Sequence, residues 1–306
     1  MNPNTNGNSF DSKTVEKEKR TLKQRIQSVY DDKMRYSNFR LIQEMCQDEP
    51  YALDVNGEKN DVDAISAESL FAYYQKAFKE DEMDLYVIGD VNEDEVQKLA
   101  TQLLKFENRQ PQRVKPVVGK KVEKVNEVKE QQDIKQGKLN IGYRTNIIYG
   151  DSEYFALQVF NGIFGGFSHS KLFINVREKA SLAYYAASRI ESHKGLMMVM
   201  SGIDLKNYDQ AVGIIHEQMD AMKKGDFTDQ ELEQTKAVIN NQMLETIDTA
   251  RGLVEVLYHN VVANVDIPLR KYLDQVQKTT KEEILEVAGK IELDTIYFLT
   301  GMEAGK

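Results

Sequence analysis

Apolar residues recur at helical spacing along the first third of the chain. Between 11 and 47, positions such as Val15, Leu22 and Ile26 are apolar and the positions between them carry charges, which predicts a long amphipathic helix. Asp11 or Ser12 is the expected N-cap, because short polar side chains accept a hydrogen bond from the first turn. The elements predicted after it are a turn-rich stretch (48–64), a helix capped by Ser66, a strand in DLYVIG (84–89) and a helix (90–104).

The second part of the chain shows both strand and helix patterns. Leu139, Ile141 and Tyr143 alternate with less apolar residues, which predicts a half-buried strand over 138–144. The capping box Thr228-x-x-Glu231 predicts the start of a long helix. The other predicted elements are helices at 152–164 and 208–224, a helix opened by Thr280, paired strands at 182–190 and 195–202, and a last strand at 294–301.

Residues 111–135 differ in composition from both sides. Lys, Glu and Gln dominate, the apolar residues are mostly scattered valines, and Pro111 and Pro116 interrupt regular structure. This pattern predicts a charged linker, and it divides the chain into a first domain (1–110) and a second domain (136–306).

The order of predicted elements is the same at the two ends of the chain. Each end has a long helix, a turn-rich stretch, a capped helix and a strand, and matched positions lie 217, 214 and 211 residues apart in the long helix, the capped helix and the strand. About 90 residues (136–227) precede the second long helix, but only a ten-residue polar tail precedes the first. The sequence therefore predicts one and a half copies of a repeat, truncated at the N-terminus; chance similarity of amphipathic helices is the alternative.

Composition narrows the class of protein. Apolar residues make up 41% of the 306, enough for a core, and the net charge of −9 argues against nucleic acid as a main partner. Cys46 is the only cysteine, which excludes an internal disulfide and favours a reducing compartment. No apolar run reaches roughly 18 residues, and MNPNTNGNSF has neither region of a signal peptide. We expect a cytoplasmic protein with no membrane partner.

The stretch 160–185 carries the strongest candidate for binding. A glycine-rich turn is predicted at Gly162, Gly165 and Gly166, followed by a short helix and a strand. Beside it, Arg177 offers five fixed donors and Tyr184 a phenol, a combination that can hold an extended peptide. A structural arginine paired with Glu178 and a half-buried tyrosine are the alternative.

Two other residues invite a catalytic interpretation that the sequence does not favour. His169 lies between Ser168 and Ser170, but no acidic residue lies near it in sequence to orient the imidazole. Cys46 lies at the end of the first long helix, where a small core residue is expected.

The segment LFINVREKASLAYYAAS (172–188) resembles the second-domain motif of the pitrilysin/insulinase metallopeptidase family, which includes the mitochondrial processing peptidases. In that family a glycine-rich turn precedes a short helix and an Arg-x6-Tyr pair, here Arg177 and Tyr184. DEPY (48–51) and YVIGDV (86–91) resemble the back half of a first domain. The resemblance is greatest to the Bacillus-type inactive members associated with elongation factor P modification. It implies an α+β fold of repeated domains, each with a mixed sheet backed by helices, that face one another across a peptide-sized chamber.

The resemblance also implies which residues bind substrate. Arg177 and Tyr184 would contact the peptide backbone, and Gly165 and Gly166 would let it approach. Active members bind zinc through H-x-x-E-H and a glutamate on the following long helix. The four histidines of this sequence lie at 169, 193, 216 and 259, so no H-x-x-E-H occurs. On the long helix, Glu18 matches the first glutamate of the family's motif, but Arg25 takes the position of the glutamate that binds zinc. A guanidinium cannot bind a cation, so no metal, catalytic residue or cofactor is expected.

Three functions remain open at this point. The favoured one is a non-catalytic family member that holds extended peptides as the partner of an active H-x-x-E-H homologue, or as a homodimer. The alternatives are a fragment of an active zinc endopeptidase, and a scaffolding protein in a protein-modification pathway. The sequence names no substrate.

Overall fold

The computed structural model describes residues 3–106, 109, 111 and 119–301. Its α-helices are α1 (Ser12–Asp31), α2 (Lys33–Met45), α3 (Lys59–Ala64), α4 (Ala67–Glu80), α5 (Glu93–Leu103), α6 (Tyr154–Asn161), α7 (Tyr208–Lys223), α8 (Asp229–Ile247), α9 (Ala250–Ala263), α10 (Leu269–Lys278) and α11 (Lys281–Lys290). Its strands are β1 (Thr5–Asn6), β2 (Ser9–Phe10), β3 (Asn126–Gln132), β4 (Gly137–Arg144), β5 (Ala183–Glu191), β6 (Leu196–Ile203) and β7 (Glu292–Gly301). Two π-helical segments cover Gly162–Gly166 and Phe173–Lys179, and short 3-10 turns cover Pro50–Ala52 and Leu205–Asn207.

The helix caps read from the sequence are present. Asp11 accepts a hydrogen bond from the Thr14 amide at 2.8 Å, and Ser66 caps α4. Thr228 and Glu231 form a reciprocal capping box at the start of α8, and Thr280 opens α11 in the same way. These caps could be predicted from the sequence because each depends on two residues that lie three positions apart.

The chain divides into two compact units. Unit 1 comprises Met1–Asp32 and Leu53–Lys115, and unit 2 comprises Lys33–Ala52 and Pro116–Lys306. The first domain predicted from the sequence includes residues 33–52, whereas α2 and the 3-10 turn after it belong to unit 2. Lys33–Ala52 contributes buried side chains such as Leu41 and Met45 to the sheet of unit 2, and this packing outweighs proximity along the chain.

Unit 2 is built on a five-stranded mixed sheet with the order β3-β7-β4-β6-β5. β3 runs parallel to β7, and the other neighbours are antiparallel. β3 lies inside the stretch 111–135 that the sequence interpreted as a linker, so that interpretation is wrong for Asn126–Gln132. As an edge strand, β3 needs few apolar side chains, and its residues alternate between exposed and half-buried.

The two faces of the sheet are covered differently. One face packs on α6, α7 and α11 around fully buried side chains such as Leu139, Ile141 and Phe160. The other face is covered by α2, where Leu41 packs against Met198 and Tyr297. Met197 and Met198 therefore pack on opposite faces, as adjacent residues of a strand do.

Both long helices expected from the sequence are interrupted. The first ends at Asp32, whose extended backbone separates a helix of 20 residues from one of 13. The second is interrupted at Thr249, whose hydroxyl caps a new helix, so 19 residues are followed by 14. The breaks fall at matching places, which supports the internal repeat, and neither was predicted because the apolar spacing continues across them.

The expected strand at 84–89 is not a strand in the described structure. Its side chains are largely exposed, with Leu85 at 61% and Val87 at 46%, whereas the matching Ile296 and Phe298 of β7 are 6% and 4% exposed. β7 pairs on both sides, with β3 and β4, and no described strand of unit 1 pairs with 84–89. An apolar run without pairing partners leaves its backbone groups unsatisfied as a strand.

The same difference separates the capped helices. Ile284 and Val287 of α11 are buried against the core of unit 2. On α4, by contrast, Tyr73 is 65% exposed, and Phe71 and Tyr74 pack edge-on against Phe10 of β2. Unit 1 therefore exposes the apolar residues whose counterparts in unit 2 form a core.

A buried arginine joins α2 to the sheet. Arg144 of β4 is 2% exposed; it donates to the Asp294 carboxylate at 2.8 Å and to the carbonyl of Met45 at 2.7 Å. Glu49, of the DEPY sequence, lies 2.6 Å from the same guanidinium. Both carboxylates are mostly buried, so the arginine neutralises charges that would otherwise be costly to bury.

A second polar network attaches α2 to β3, an edge strand of the sheet. Glu130 of β3 accepts hydrogen bonds from Tyr36 at 2.6 Å, from Tyr297 at 2.8 Å and from Arg40 at 3.3 Å. Burial alone would raise the pKa of Glu130, but the hydrogen bonds donated by Tyr36, Tyr297, Gln132 and Arg40 together lower it below its ordinary value. The network stabilises the protein only while the carboxylate is ionised.

Glu130→Gln is therefore expected to lower the free energy of unfolding at neutral pH by about 1–2 kcal/mol, since a hydrogen bond to a charged group is stronger than one to an amide. The folded-state pKa is depressed, so the contribution is present above the unfolded pKa of about 4.3 and is lost as pH falls below it. Urea denaturation from pH 7 to pH 3 should show the variant and the parent converging in acid. Glu123→Gln, at an exposed position just before the same strand, is the matched control. A constant difference across the range would contradict this role.

Candidate peptide-binding site

The segment 160–185 is helical where the sequence predicted a turn. α6 continues without a break into the first π-helical segment, Gly162–Gly166, and the second, Phe173–Lys179, follows after a short loop. The prediction of a tight glycine turn is therefore wrong, whereas the short helix and the strand after it are present. A π-turn widens the helix by one residue per turn, and such turns are frequent at functional sites.

The three glycines serve close packing. A Cβ built on Gly165 would lie 2.5 Å from the Ser188 hydroxyl and 2.8 Å from the Ser188 amide nitrogen, and one on Gly166 would lie 2.9 Å from the side chain of Asn161. A Cβ on Gly162 would overlap Thr235. None of the three has a positive φ, so they are needed for close approach of the π-helical segment to β5 and α8, and not for an unusual backbone.

Arg177 lies on the second π-helical segment with its side chain exposed. Its guanidinium stacks over the ring of Phe173, 4.5 Å from the centroid, and no described carboxylate lies within ion-pair distance of it. The alternative of a structural pair with Glu178 is absent from the described residues. The stacking holds the side chain in place and leaves its N–H donors directed at solvent.

Tyr184 lies at an irregularity of the edge strand. The pairing of β5 with β6 shifts between Ala183 and Tyr185, so Tyr184 is the extra residue of a β-bulge, and its side chain is 76% exposed. Tyr185 lies across Gly202 instead, where any side chain would collide with its ring. The bulge therefore directs Tyr184 outward, which no pattern in the sequence indicated.

The second π-helical segment packs against β5, and the amide of Leu182 donates to the carbonyl of Val176 at 3.2 Å. The structure thus carries Arg177 and Tyr184 on adjoining elements. No described hydrogen bond or ring contact joins the two side chains. Their role in binding a peptide stays a prediction.

The residues at the expected metal position do not fit zinc. Glu18 and Arg25 line one side of a 230 Å³ cavity in unit 1, together with Lys19 and apolar residues. One carboxylate beside two cations is no ligand set for a divalent ion. Among the residues that the structure describes, no group of three or more His, Cys, Asp or Glu side chains is arranged to bind a metal.

The structure brings together two histidines that the sequence left apart. His193, in the turn after β5, lies 2.7 Å from His259 of α9, and the rings stack with Tyr149 beside them. Burial lowers the pKa of both imidazoles, which favours their neutral forms. Their separation of 66 residues gave no signal in the sequence.

Neither nucleophile considered from the sequence has an activated environment. His169 shares a hydrogen bond of 2.9 Å with the Thr235 hydroxyl and stacks on Phe167. Cys46 is fully buried, and burial, with Glu49 nearby, raises the pKa of its thiol to about 11. A thiol of that pKa is protonated at neutral pH and is a poor nucleophile.

Comparison with known proteins decides the family. Residues 64–239 match the family described as Peptidase M16 inactive domain. The chain is 60% identical over 303 residues to the "Probable inactive metalloprotease YmfF" of Bacillus subtilis, an alignment that covers 99% of this chain and 71% of that protein. The chain belongs to the peptidase M16 family.

Solved structures agree with this assignment. A conserved protein from Enterococcus faecalis superposes with a TM-score of 0.91 and 38% identity, covering 99% of this chain and 72% of that one. A peptidase M16 inactive domain from Pseudomonas fluorescens has the same fold, with a TM-score of 0.76 and 18% identity over 97% of this chain and 73% of that one. The resemblance and the α+β fold with a mixed sheet backed by helices are thereby confirmed. In the part of the chain that the structure describes, no helix is long and apolar enough to cross a membrane.

Proposed function

We propose that this M16 family member is a non-catalytic subunit that holds extended peptides along β5 for an active H-x-x-E-H homologue. The observation that carries the proposal is the outer edge of β5, which pairs with no other described strand, with Tyr184 directed outward on it and Arg177 on the segment packed beside it. A peptide that adds a strand to such an edge gains backbone hydrogen bonds with little sequence dependence.

Three further features support this role. No H-x-x-E-H occurs in the sequence, and Arg25 stands at the expected ligand position, so catalysis would have to come from another chain. Unit 1 exposes apolar side chains, such as Leu85 and Tyr73, whose counterparts in unit 2 are buried, and a surface of that kind favours a protein partner. A reduced, buried Cys46 is consistent with the cytoplasm as the place of action.

The partner is tested by copurification. An affinity-tagged form of the chain, expressed in its host at native level, should copurify with an M16 protein that contains H-x-x-E-H. Copurification without such a protein, or with a second copy alone, would contradict the partner role. If the protein binds peptides but no peptidase, the peptide-holding function alone remains. If it binds neither peptides nor a peptidase, the scaffolding function is favoured.

Arg177→Ala is expected to weaken peptide binding about tenfold, since a charge-assisted hydrogen bond to a peptide carbonyl contributes about 1.5 kcal/mol. Tyr184→Ala should weaken binding by a similar factor. The measurement is fluorescence anisotropy with labelled, unstructured peptides of about nine residues, matching the length of β5. Arg251→Ala, on the exposed surface of α9, and Tyr258→Ala are matched controls of similar exposure. If the site variants bind peptides as tightly as the control variants do, Arg177 and Tyr184 do not contribute to peptide binding.

A further inference from the structure

A cleft of about 390 Å³ opens beside the outer edge of β5. On one side it is lined by β5 itself, through Ser188, Arg189 and Ile190, and by Ser192 in the turn that follows. On the other side it is lined by α8, through Ile239, Gln242 and Met243. No described residue of β6 lines it, so the cleft lies beyond the outer edge of the sheet, on the face that packs against the helices.

The β5 side chains at the cleft are directed toward the helical face. Ser188 donates to the amide oxygen of Asn161 on α6 at 2.7 Å, and the Ser192 hydroxyl lies 2.7 Å from that of Tyr154. Ile190, between them, packs against the core. A strand added next to β5 would lie about 4.8 Å outside it, and every second side chain of that strand would be directed to this same face. These side chains would enter the cleft.

The lining of the cleft has a distinct chemistry. It combines apolar surface from Phe167, Ile190, Ile239 and Met243 with amide and hydroxyl groups of Asn161, Gln158, Gln242 and Ser192. Among the described lining residues, Arg189 alone is charged, and Glu191 lies 3.5 Å from its guanidinium. No carboxylate is among the lining residues that the structure describes, so a lysine or arginine side chain there would lose water without gaining a counter-charge. An acidic side chain would have to compete with Glu191 for the one arginine.

We propose that this cleft is a specificity subsite that accepts large uncharged side chains, apolar or amide, from alternate positions of a peptide bound along β5. The subsite rests on the proposed function, because a peptide must occupy the β5 edge for its side chains to reach the cleft. It adds a substrate class: extended peptides with uncharged residues at every second position, in preference to charged ones.

The test uses labelled peptides of about nine residues in which serine alternates with one variable residue. Because the same residue recurs at every second position, one of the two possible registers directs all variable residues to the cleft, and a slip by one residue directs serines there instead. Peptides with Gln, Met, Lys or Glu at the variable positions are compared by anisotropy at about 0.15 M salt, where screening limits long-range attraction to about 8 Å. The protein's net charge of −9 would favour the Lys peptide if no subsite existed.

The Gln and Met peptides should bind about tenfold more tightly than the Lys and Glu peptides. Gln242→Glu adds a carboxylate inside the cleft and should improve Lys-peptide binding severalfold while weakening Glu-peptide binding. Asn241→Asp, on the exposed face of the same helix and outside the cleft lining, adds the same charge and should leave the order of affinities unchanged. Both sites are exposed, so both variants are expected to fold, and circular dichroism checks this.

Two outcomes overturn the assignment in different ways. Equal binding of all four peptides, or identical responses of Gln242→Glu and Asn241→Asp, would remove the subsite and leave peptide holding intact. If no peptide binds while the partner protein is still captured, peptide holding itself fails, and the subsite fails with it.

Discussion

Replacing Arg144 with methionine is expected to lower the free energy of unfolding by about 3–5 kcal/mol, because the change leaves two buried carboxylates without a counter-charge. Asp294 is 8% exposed, and Glu49 lies with it around the same guanidinium. The carbonyl of Met45 also loses its donor. Methionine fills a comparable volume, so loss of charge rather than loss of packing would dominate. The measurement is urea denaturation at pH 7.

The control for Arg144→Met is Arg189→Met on the same sheet. Arg189 is 43% exposed and lies 3.5 Å from Glu191, so its loss should cost less than about 1 kcal/mol. A triple variant with Arg144→Met, Glu49→Leu and Asp294→Leu should recover most of the lost stability, because an apolar replacement of a whole buried ion cluster is often neutral. Equal losses for the two single variants would show that the cluster is energetically unimportant.

Hydrogen exchange locates the effect of Arg144→Met. The arginine connects β4 to Met45 and Glu49, at the end of the segment 33–52. Amides of α2 should exchange faster in the variant, while those of α7, on the opposite face, keep their protection. Uniform acceleration throughout unit 2 would mean that the cluster stabilises the whole sheet and has no particular role in attaching this segment.

The parts of the fold that the sequence predicted are those set by local rules. The capping boxes at Thr228 and Thr280, the alternation at 139–143 and the paired strands β5 and β6 all depend on residues a few positions apart. The breaks in the long helices and the strand β3 depend on long-range packing. β3 has only Val128 as an apolar residue, and its pairing with β7 rather than its own pattern makes it a strand. The strand predicted at 84–89 is absent for the same reason, since an apolar run becomes a strand only where neighbouring strands pair with it.

The residues of the candidate site come from the family resemblance, and their role stays a prediction, whereas their geometry is visible only in the structure. Family resemblance pointed to Arg177 and Tyr184, and both are exposed, but only the structure reveals the bulge that directs Tyr184 outward and the Phe173 ring beneath Arg177. The cleft beside β5 combines residues of β5, α6, α8 and α10 that are up to 114 residues apart, from Gln158 to Tyr272. No spacing rule in a single sequence reports such a grouping.

Gly165→Ala is the second change with a large expected effect, a loss of about 1–3 kcal/mol of stability from overpacking. The added Cβ would lie 2.5 Å from the Ser188 hydroxyl, 2.7 Å from Leu172 and 2.8 Å from the Ser188 amide nitrogen. Leu172 is fully buried, and the amide belongs to β5, so relief requires the π-helical segment or the strand to move. Thermal and urea denaturation measure the loss.

Gly213→Ala is the matched control, because the two changes should have opposite signs. Gly213 lies within α7 with nothing within 4 Å of its added Cβ, so alanine should stabilise the helix by about 0.5–1 kcal/mol. The comparison also decides what Gly165 does in the candidate site. If Gly165→Ala loses stability and peptide affinity together, the glycine acts by positioning β5. If the variant keeps parental stability but binds peptides weakly, Gly165 is a point of ligand approach, as the family resemblance implied, and the packing role assigned to it here is wrong.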